Sequence, residues 1–288
     1  MSGTLYLCAT PIGNLGDITF RVLETLKEVD LIAAEDTRNS IKLLTHFDIH
    51  TPMTSYHEFN KIDKGRELVG ELLKGKNIAL ITDAGTPGIS DPGEELVKMA
   101  QEAGVAVTSL PGACACITAL TLSGQSTRRF DFEAFLPKEK KLRQHRLQEM
   151  DRQTETVVLY EAPHHLLATL RELMEAMGDR RLTLCRELTK KHEEAMRCTF
   201  SEAIAYYENP EHPPRGEYVL VIEGRDPKQQ EEQARKEWEA MDIPSHVAYY
   251  EAQGIPRKAA MKKAAEDRGV SKRDIYQALL EEKDKEKE

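Results

Sequence analysis

Short apolar runs rich in β-branched residues alternate along the chain with segments of helical period. LYLCAT leads into FRVLETLKEV, LIAAE leads into a helix around residues 41–47, and IALITD leads into EELVKMAQEAG and then VAVTSL. A strand covered on both faces reads as a nearly continuous apolar run, and a helix carries the chain back to the next parallel strand. The alternation therefore predicts a parallel sheet covered by helices. SGQSTRR, residues 123–129, breaks the pattern and sets the end of a first α/β domain spanning residues 1–125.

A second series, residues 126–225, runs through FDFEAFLP, a charged helix, TVVLYEA, a helix, RLTLCREL, another helix and GEYVLVIEG. Leu166, Leu170, Leu173 and Met177 recur at helical spacing, so one stripe of that helix faces a core. The strands are marked by length and flanking turns more than by alternation, which leaves their order open and the domain α/β or α+β. From residue 226 to 288 the composition shifts to charged helix formers. This predicts a small helical domain of two or three short helices, broken at Gly254-Ile255-Pro256 and at Gly269, with Ser271 and Asp274 spaced as a capping box.

Composition narrows the class. No apolar run approaches the roughly 20 residues of a bilayer crossing, and no basic start precedes a long apolar stretch, so a soluble, unprocessed chain is expected. The five cysteines are odd in number and mostly sit in apolar runs, which points to reduced core thiols and the cytoplasm. Cys114 and Cys116 are two apart, hence on different sides of a helix, and no zinc-like spacing surrounds them, so no metal is expected. A net charge of −9 excludes a protein that coats nucleic acid by charge alone. It leaves room for two local basic stretches, Arg128 to Arg146 and Arg257 to Arg273.

The segment with the most chemistry is DAGTPGISDPG, Asp83 to Gly93, directly after the strand IALIT. Its three glycines and two prolines make a backbone both open and fixed, suited to presenting main-chain N–H and C=O groups to a flat ligand. Open α/β sheets bind ligands at this carboxyl end of a strand. The chain has neither a Walker-type phosphate loop nor a GxGxxG after its first strand. Asp91, Glu94 and Glu95 at the loop's end disfavour a polyphosphate and tolerate a cationic sulfonium. A second small-residue loop, Leu110 to Ala115, also follows a strand.

These residues carry a resemblance. The Ala9-Thr10-Pro11-Ile12-Gly13-Asn14 turn, the Ala34-Glu35-Asp36-Thr37-Arg38 strand end, AGTPGISDPG and LPGACACITAL are similar to the tetrapyrrole methylase superfamily, and more narrowly to its ribosomal RNA methyltransferase branch. FEAFLP, LYEAPHHLL, CRELTKKHEE and GEYVLVIEG follow in the branch's order, so the likeness covers about residues 4–224. It implies two α/β domains of the tetrapyrrole methylase type with S-adenosylmethionine in the cleft between them. It further implies a homodimer and 2′-O-methylation of a cytidine in 16S rRNA near the decoding centre. Gly85-Thr86-Pro87 takes the place of the superfamily's Gly-Asp-Pro triplet, and the Thr is a departure that favours the RNA branch. Pro11, Gly88, Ile89, Cys114, Ala115, Tyr160, Glu161 and Leu188 match positions that line the cofactor cleft in relatives, Cys114 standing where many have Ser or Thr.

Methyl transfer from a sulfonium demands alignment, and a ribose hydroxyl gains from a nearby base. Glu35, Asp36, Glu187 and Lys190, each at or just past a strand end, are the catalytic candidates; for Asp36 an ion-paired helix cap competes with that role. Arg38, Arg186 and Lys191, with Lys138, Lys140, Lys141 and Arg143 of the first basic stretch, are the candidates for RNA phosphate. Two alternatives stay open: a methylase of a tetrapyrrole or other small molecule, and a non-enzymatic ribosome-binding protein.

Overall fold

The apolar runs of the first series become a parallel five-stranded sheet in the order β3-β2-β4-β1-β5. This is seen in a computed structural model that describes residues 2–226, 236, 238 and 240–285. In chain order the elements are β1 (Thr4–Cys8), α1 (Phe20–Glu28), β2 (Leu31–Ala34), α2 (Thr37–His46), β3 (Met53–Ser55), α3 (Lys61–Leu73), β4 (Ile78–Ile81), α4 (Gly93–Glu102), β5 (Ala106–Leu110) and α5 (Ala115–Ser123). Every residue of β4 is buried, as its unbroken IALI run requires. Helix α2 starts where Asp36 accepts a hydrogen bond from the Arg38 N–H at 2.8 Å, four residues before the stretch that sequence period marks. All five strands run the same way, so their carboxyl ends, and the loops Ala9 to Asn14 and Asp83 to Gly93, gather on one edge.

Next come β6 (Phe130–Ala134), α6 (Lys140–Arg152), β7 (Thr156–Glu161), α7 (Leu166–Met177), β8 (Arg181–Arg186), β9 (Glu194–Thr199), α8 (Phe200–Glu208) and β10 (Tyr218–Ile222). Their sheet has the order β6-β7-β10-β8-β9. Only β6 and β7 are parallel, because a helix joins them; β10 runs antiparallel to both neighbours, and β8 and β9 form an antiparallel pair. The question left open by the sequence resolves as a mixed sheet.

Strand β10, the last among the described residues, is the middle of this sheet and alternates between two cores. Tyr218, Leu220 and Ile222 face the helices α6, α7 and α8, where Leu166, Leu170, Leu173 and Met177 form the expected stripe. Burying each such side chain contributes roughly 1.5–3 kcal/mol. Val219 and Val221 face the other way, onto Cys116, Ala119 and Leu120 of α5. Thus α5, which follows the first sheet in the chain, packs on the second.

Contacts divide the chain into two compact units, residues 1–223 and 224–288. The second holds α9 (Ile243–Ala252), α10 (Arg257–Arg268) and α11 (Lys272–Lys285) around Val247, Ala260, Ala264 and Ile275. Residues 227–235, 237, 239 and 286–288 of the expected helical tail lie outside the described residues. The Ser271 and Asp274 box closes, with the Ser271 N–H donating to Asp274 at 2.9 Å and the Asp274 N–H to the Ser271 hydroxyl at 3.2 Å. No helix among the described residues is long and apolar enough to cross a membrane.

Candidate active site

The turn after β1 and the loop after β4 are stitched together. The Thr10 N–H donates to the Gly85 carbonyl at 2.8 Å, and the Gly85 N–H returns a bond to Thr10 at 3.1 Å. Gly85 sits at φ +89°, where a Cβ would lie 3.3 Å from Ile12, so glycine is what lets the two loops meet. The Thr86 hydroxyl donates to the Ala113 carbonyl at 3.0 Å and ties in the loop after β5. Asp91 turns back on its own loop, accepting from the N–H groups of Gly88 and Gly93 at 2.7–3.0 Å. Its oxygens are thus spent on closing the turn, and Asp91 does not line the adjoining cleft.

Between these loops and the second sheet lies a cleft of about 430 Å³. Of the ten expected cofactor residues, Gly85, Thr86, Ile89, Cys114, Ala115, Tyr160, Glu161 and Leu188 line it. Pro11 and Gly88 do not. Pro11 faces a neighbouring cavity, and Gly88 serves Asp91. The sequence reading missed Ile12, Ala84, Phe135, Ala162, Pro163, Glu217, Tyr218 and Val219. Phe135 had the clearest signal, an apolar residue in a loop, and it is 56% exposed. It packs edge-on against Tyr160 at 5.7 Å between ring centres.

Tyr160 reaches across to α5, its hydroxyl accepting the Cys116 N–H at 3.1 Å and so capping that helix start. Burial first, then the neighbouring Cys116 and Cys114 thiols, push its phenol well above the ordinary value. Cys114 precedes the helix in extended backbone, which brings its sulfur to 3.4 Å from that of Cys116. The two thiols therefore meet, contrary to the expectation from helical spacing. The Cys116 thiol and the N–H groups at the start of α5 hold Cys114 below the usual thiol value.

None of the four catalytic candidates lines the cleft. Glu35 accepts the Thr82 hydroxyl at 2.5 Å. Asp36 caps α2 and pairs with the Arg38 guanidinium at 2.8 Å, and that pairing holds its carboxyl down at about 2. The helix-cap reading of Asp36 is the one the geometry supports. Glu187 and Lys190 belong to a tight connection between β8 and β9 in which Glu187 and Thr189 have φ of +51° and +66°. Such conformations are uncommon for any residue but glycine, most strained for a β-branched one such as Thr189, and occur at ligand clamps. Here they present Leu188, between them, to the cleft.

Lys190 Nζ lies 2.9 Å from Glu187 and 2.8 Å from Glu217. Burial works against both charges. For Glu187 the bond from Lys190 and the Glu217 N–H outweigh it and leave the carboxyl below its ordinary value; for Lys190 the bonds to Glu217 and then Glu187 outweigh it and leave the ammonium above its own. A lysine held as ammonium cannot accept a proton, so Lys190 is a fixed positive charge between two carboxylates. Of the three, Glu217 borders the cleft.

The RNA candidates separate into two kinds. Lys138, Lys140, Lys141 and Lys191 are exposed, as is Arg38 beside Asp36. Arg186 pairs with Glu194 at 2.9 Å. Arg143 turns inward, with Nε 2.5 Å from Glu172 and Nη2 donating to the Thr169 hydroxyl at 2.8 Å. Thr169 in turn donates to Glu161 at 2.5 Å. Arg143 thus braces a cleft residue from behind and is not available to phosphate, a correction to its sequence reading.

The lining of the cleft contains no lysine, arginine or histidine, while it holds two glutamates and three aromatic rings. That set rejects a polyphosphate and suits a flat ligand with a cationic centre. The model for Tetrapyrrole (Corrin/Porphyrin) Methylases matches residues 4–204 of the chain. The chain belongs to this family, in its ribosomal RNA small subunit methyltransferase I branch. It is 49% identical to the Ribosomal RNA small subunit methyltransferase I of Halalkalibacterium halodurans, over 97% of this chain and 96% of that protein. It is 48% identical to the protein of the same name from Bacillus subtilis, over 96% of this chain and 94% of that one. Among solved structures it is similar to Uroporphyrin-III C-methyl transferase from Thermus thermophilus complexed with S-adenyl homocysteine. There the TM-score is 0.54 at 18% identity, covering 77% of this chain and 97% of that one, which shows the shared fold.

The cofactor of the family is S-adenosylmethionine. The residues of this methylase fit it: Ile12, Ile89 and Leu188 supply apolar walls, and Gly85 leaves its backbone open. Tyr160, Phe135, Glu161 and Glu217 give a sulfonium a favourable surround.

Proposed function

We propose that this methyltransferase acts on 16S rRNA of the small ribosomal subunit, methylating the 2′-hydroxyl of a cytidine near the decoding centre. The carrying observation is the near-full-length match to relatives named for the small-subunit rRNA, joined to a cleft that collects eight of the ten residues the motifs mark for the cofactor. The nucleotide and the hydroxyl come from the resemblance of AEDTR, AGTPGISDPG and the later motifs to the RNA branch. The same resemblance supports a cytoplasmic homodimer.

Bound in the cleft, S-adenosylmethionine supplies an activated methyl group. The chain's own part is alignment. The loops joined by Thr10, Gly85 and Thr86 fix one wall, and Leu188 on its strained connection fixes the other. To Glu217, at the border of the cleft, we assign the receipt of the hydroxyl proton, and its ion pair with Lys190 at 2.8 Å orients the carboxylate. The exposed Lys138, Lys140, Lys141 and Lys191, with Arg38, supply positive charge for phosphate.

The test is transfer of a labelled methyl group to unmodified small subunits, naked 16S rRNA and a porphyrinogen. Label should appear in RNA as 2′-O-methylcytidine. Label in the porphyrinogen alone, or in no acceptor, refutes the reading.

A further inference from the structure

A second cavity, of about 340 Å³, opens at the carboxyl ends of the first sheet, and nothing in the cofactor cleft accounts for it. It shares both partitions with that cleft. Along the turn after β1, Pro11 and Gly13 face the second cavity while Ile12 between them faces the first; after β4, Asp83 faces the second and Ala84 the first. The wall is one strand of backbone thick, pinned by the paired Thr10 and Gly85 bonds. Whatever occupies the second cavity therefore lies beside the cofactor.

The lining has the chemistry of a nucleotide site. Asn39, Lys42 and His46 are three and four residues apart on α2, so one face of that helix forms the outer wall. Lys42 and His46 are exposed, and Lys42 has no ion pair among the described residues. Arg38, one turn earlier, extends the positive edge while paired with Asp36. At the partition itself lies Asp83, its carboxylate bonded to the Asn39 side chain, so the amide and the carboxylate form one polar pair. An ammonium for phosphate, an imidazole able to stack or donate, and amide and carboxylate groups for sugar and base edges form a set that single-stranded RNA sites use. The volume falls within the range of small-ligand sites, roughly 300–1,000 Å³.

We propose that this second cavity seats a nucleotide of the RNA acceptor, with Lys42 on a flanking phosphate, His46 against the base and Asp83 at the sugar hydroxyl. The inference rests on the RNA reading above and adds where the RNA enters.

The test uses the full chain carrying Lys42→Ala, His46→Ala or both, with melting temperature checked against wild type. Filter binding to unmodified small subunits, without methyl donor, measures RNA affinity over a range of salt. Calorimetry measures S-adenosylmethionine affinity, and steady-state rates give KM for each substrate. Each single change should weaken RNA binding about tenfold, and Lys42→Ala should lower the slope of log affinity against log salt by about one. KM for RNA should rise while cofactor affinity stays at the wild-type value. RNA binding equal to wild type overturns the proposal. So does a parallel loss of cofactor affinity, which would make the cavity part of the cofactor site. A wild-type protein that methylates no RNA would refute the function instead, and the binding arm would still decide the cavity.

Discussion

Behind the cleft, Arg143 holds Thr169 and Thr169 holds Glu161, so a change at one surface-helix arginine reaches the cofactor wall. Arg143→Ala should weaken S-adenosylmethionine binding by about threefold to tenfold, the worth of one lost hydrogen bond. Lys140→Ala with Lys141→Ala should leave it untouched, because both side chains are exposed on the same helix. Calorimetry decides between them; equal affinities in both variants would mean that the brace does nothing. Gly85 carries a different burden. Alanine there must adopt φ +89° with its Cβ 3.3 Å from Ile12, so Gly85→Ala should cost about 1 kcal/mol or more in urea unfolding. Wild-type stability in that variant would show that the two loops can part.

Among the elements, α7 is the one whose role follows most directly from its letters. Leu170 is wholly buried, and Leu170→Ala should destabilise the first unit by about 2–5 kcal/mol, read as a shift of the denaturant midpoint. A shift near zero would contradict the packing of the stripe. Strands β1, β2, β4 and β5 were legible for the same reason, being apolar runs between turn signals. Other elements were hidden. Helix α3 carries Gly65 and Gly70, which weaken its period, yet Gly65 is the close-packing point where a Cβ would come within 2.7 Å of Met99. Strand β3 has three residues and β9 is charged and half-exposed, so neither shows an apolar run. The antiparallel placement of β10 could not be read either, since pairing partners far apart in sequence leave no local mark. Within the site, the glycine-rich loops announced themselves. Glu217 and Tyr218 did not, because a strand end far along the chain reveals its neighbours only once the sheet is formed.

On the scale of the whole molecule, the helical unit contains its own acid-sensitive joint. His246 is buried, stacked on Trp238 at 4.1 Å, and takes a bond from Arg268 Nε at 3.0 Å on Nδ1. A guanidinium only donates, so Nδ1 carries no proton and Nε2 faces Asp267 at 3.2 Å. Burial first, then Arg268, lower the affinity of His246 for a second proton, and Asp267 opposes them in part. The folded unit thus binds fewer protons than the unfolded one, and Tyr250 adds only a bond to Asp267. This stabilisation is complete above about pH 6.5, the ordinary imidazole value, and is lost as pH falls through the lowered one. Trp238 is the only tryptophan of the chain, so its fluorescence follows this unit alone. The thermal midpoint of that signal should drop between about pH 6.5 and pH 5, and His246→Gln should remove the dependence. A midpoint constant over that range would dismiss the joint.

Helix α5 bears on how such a chain is inherited. It leaves the first sheet through a loop held by Thr86 and buries Cys116, Ala119 and Leu120 on the second. A chimera spliced at SGQSTRR between two relatives would pair one parent's helix with the other parent's sheet, whereas a splice in the loop before α5 would keep that interface from one parent. Recombination among these enzymes should therefore leave its scars ahead of residue 115, and the two α/β halves should travel through evolution with this helix as part of the second.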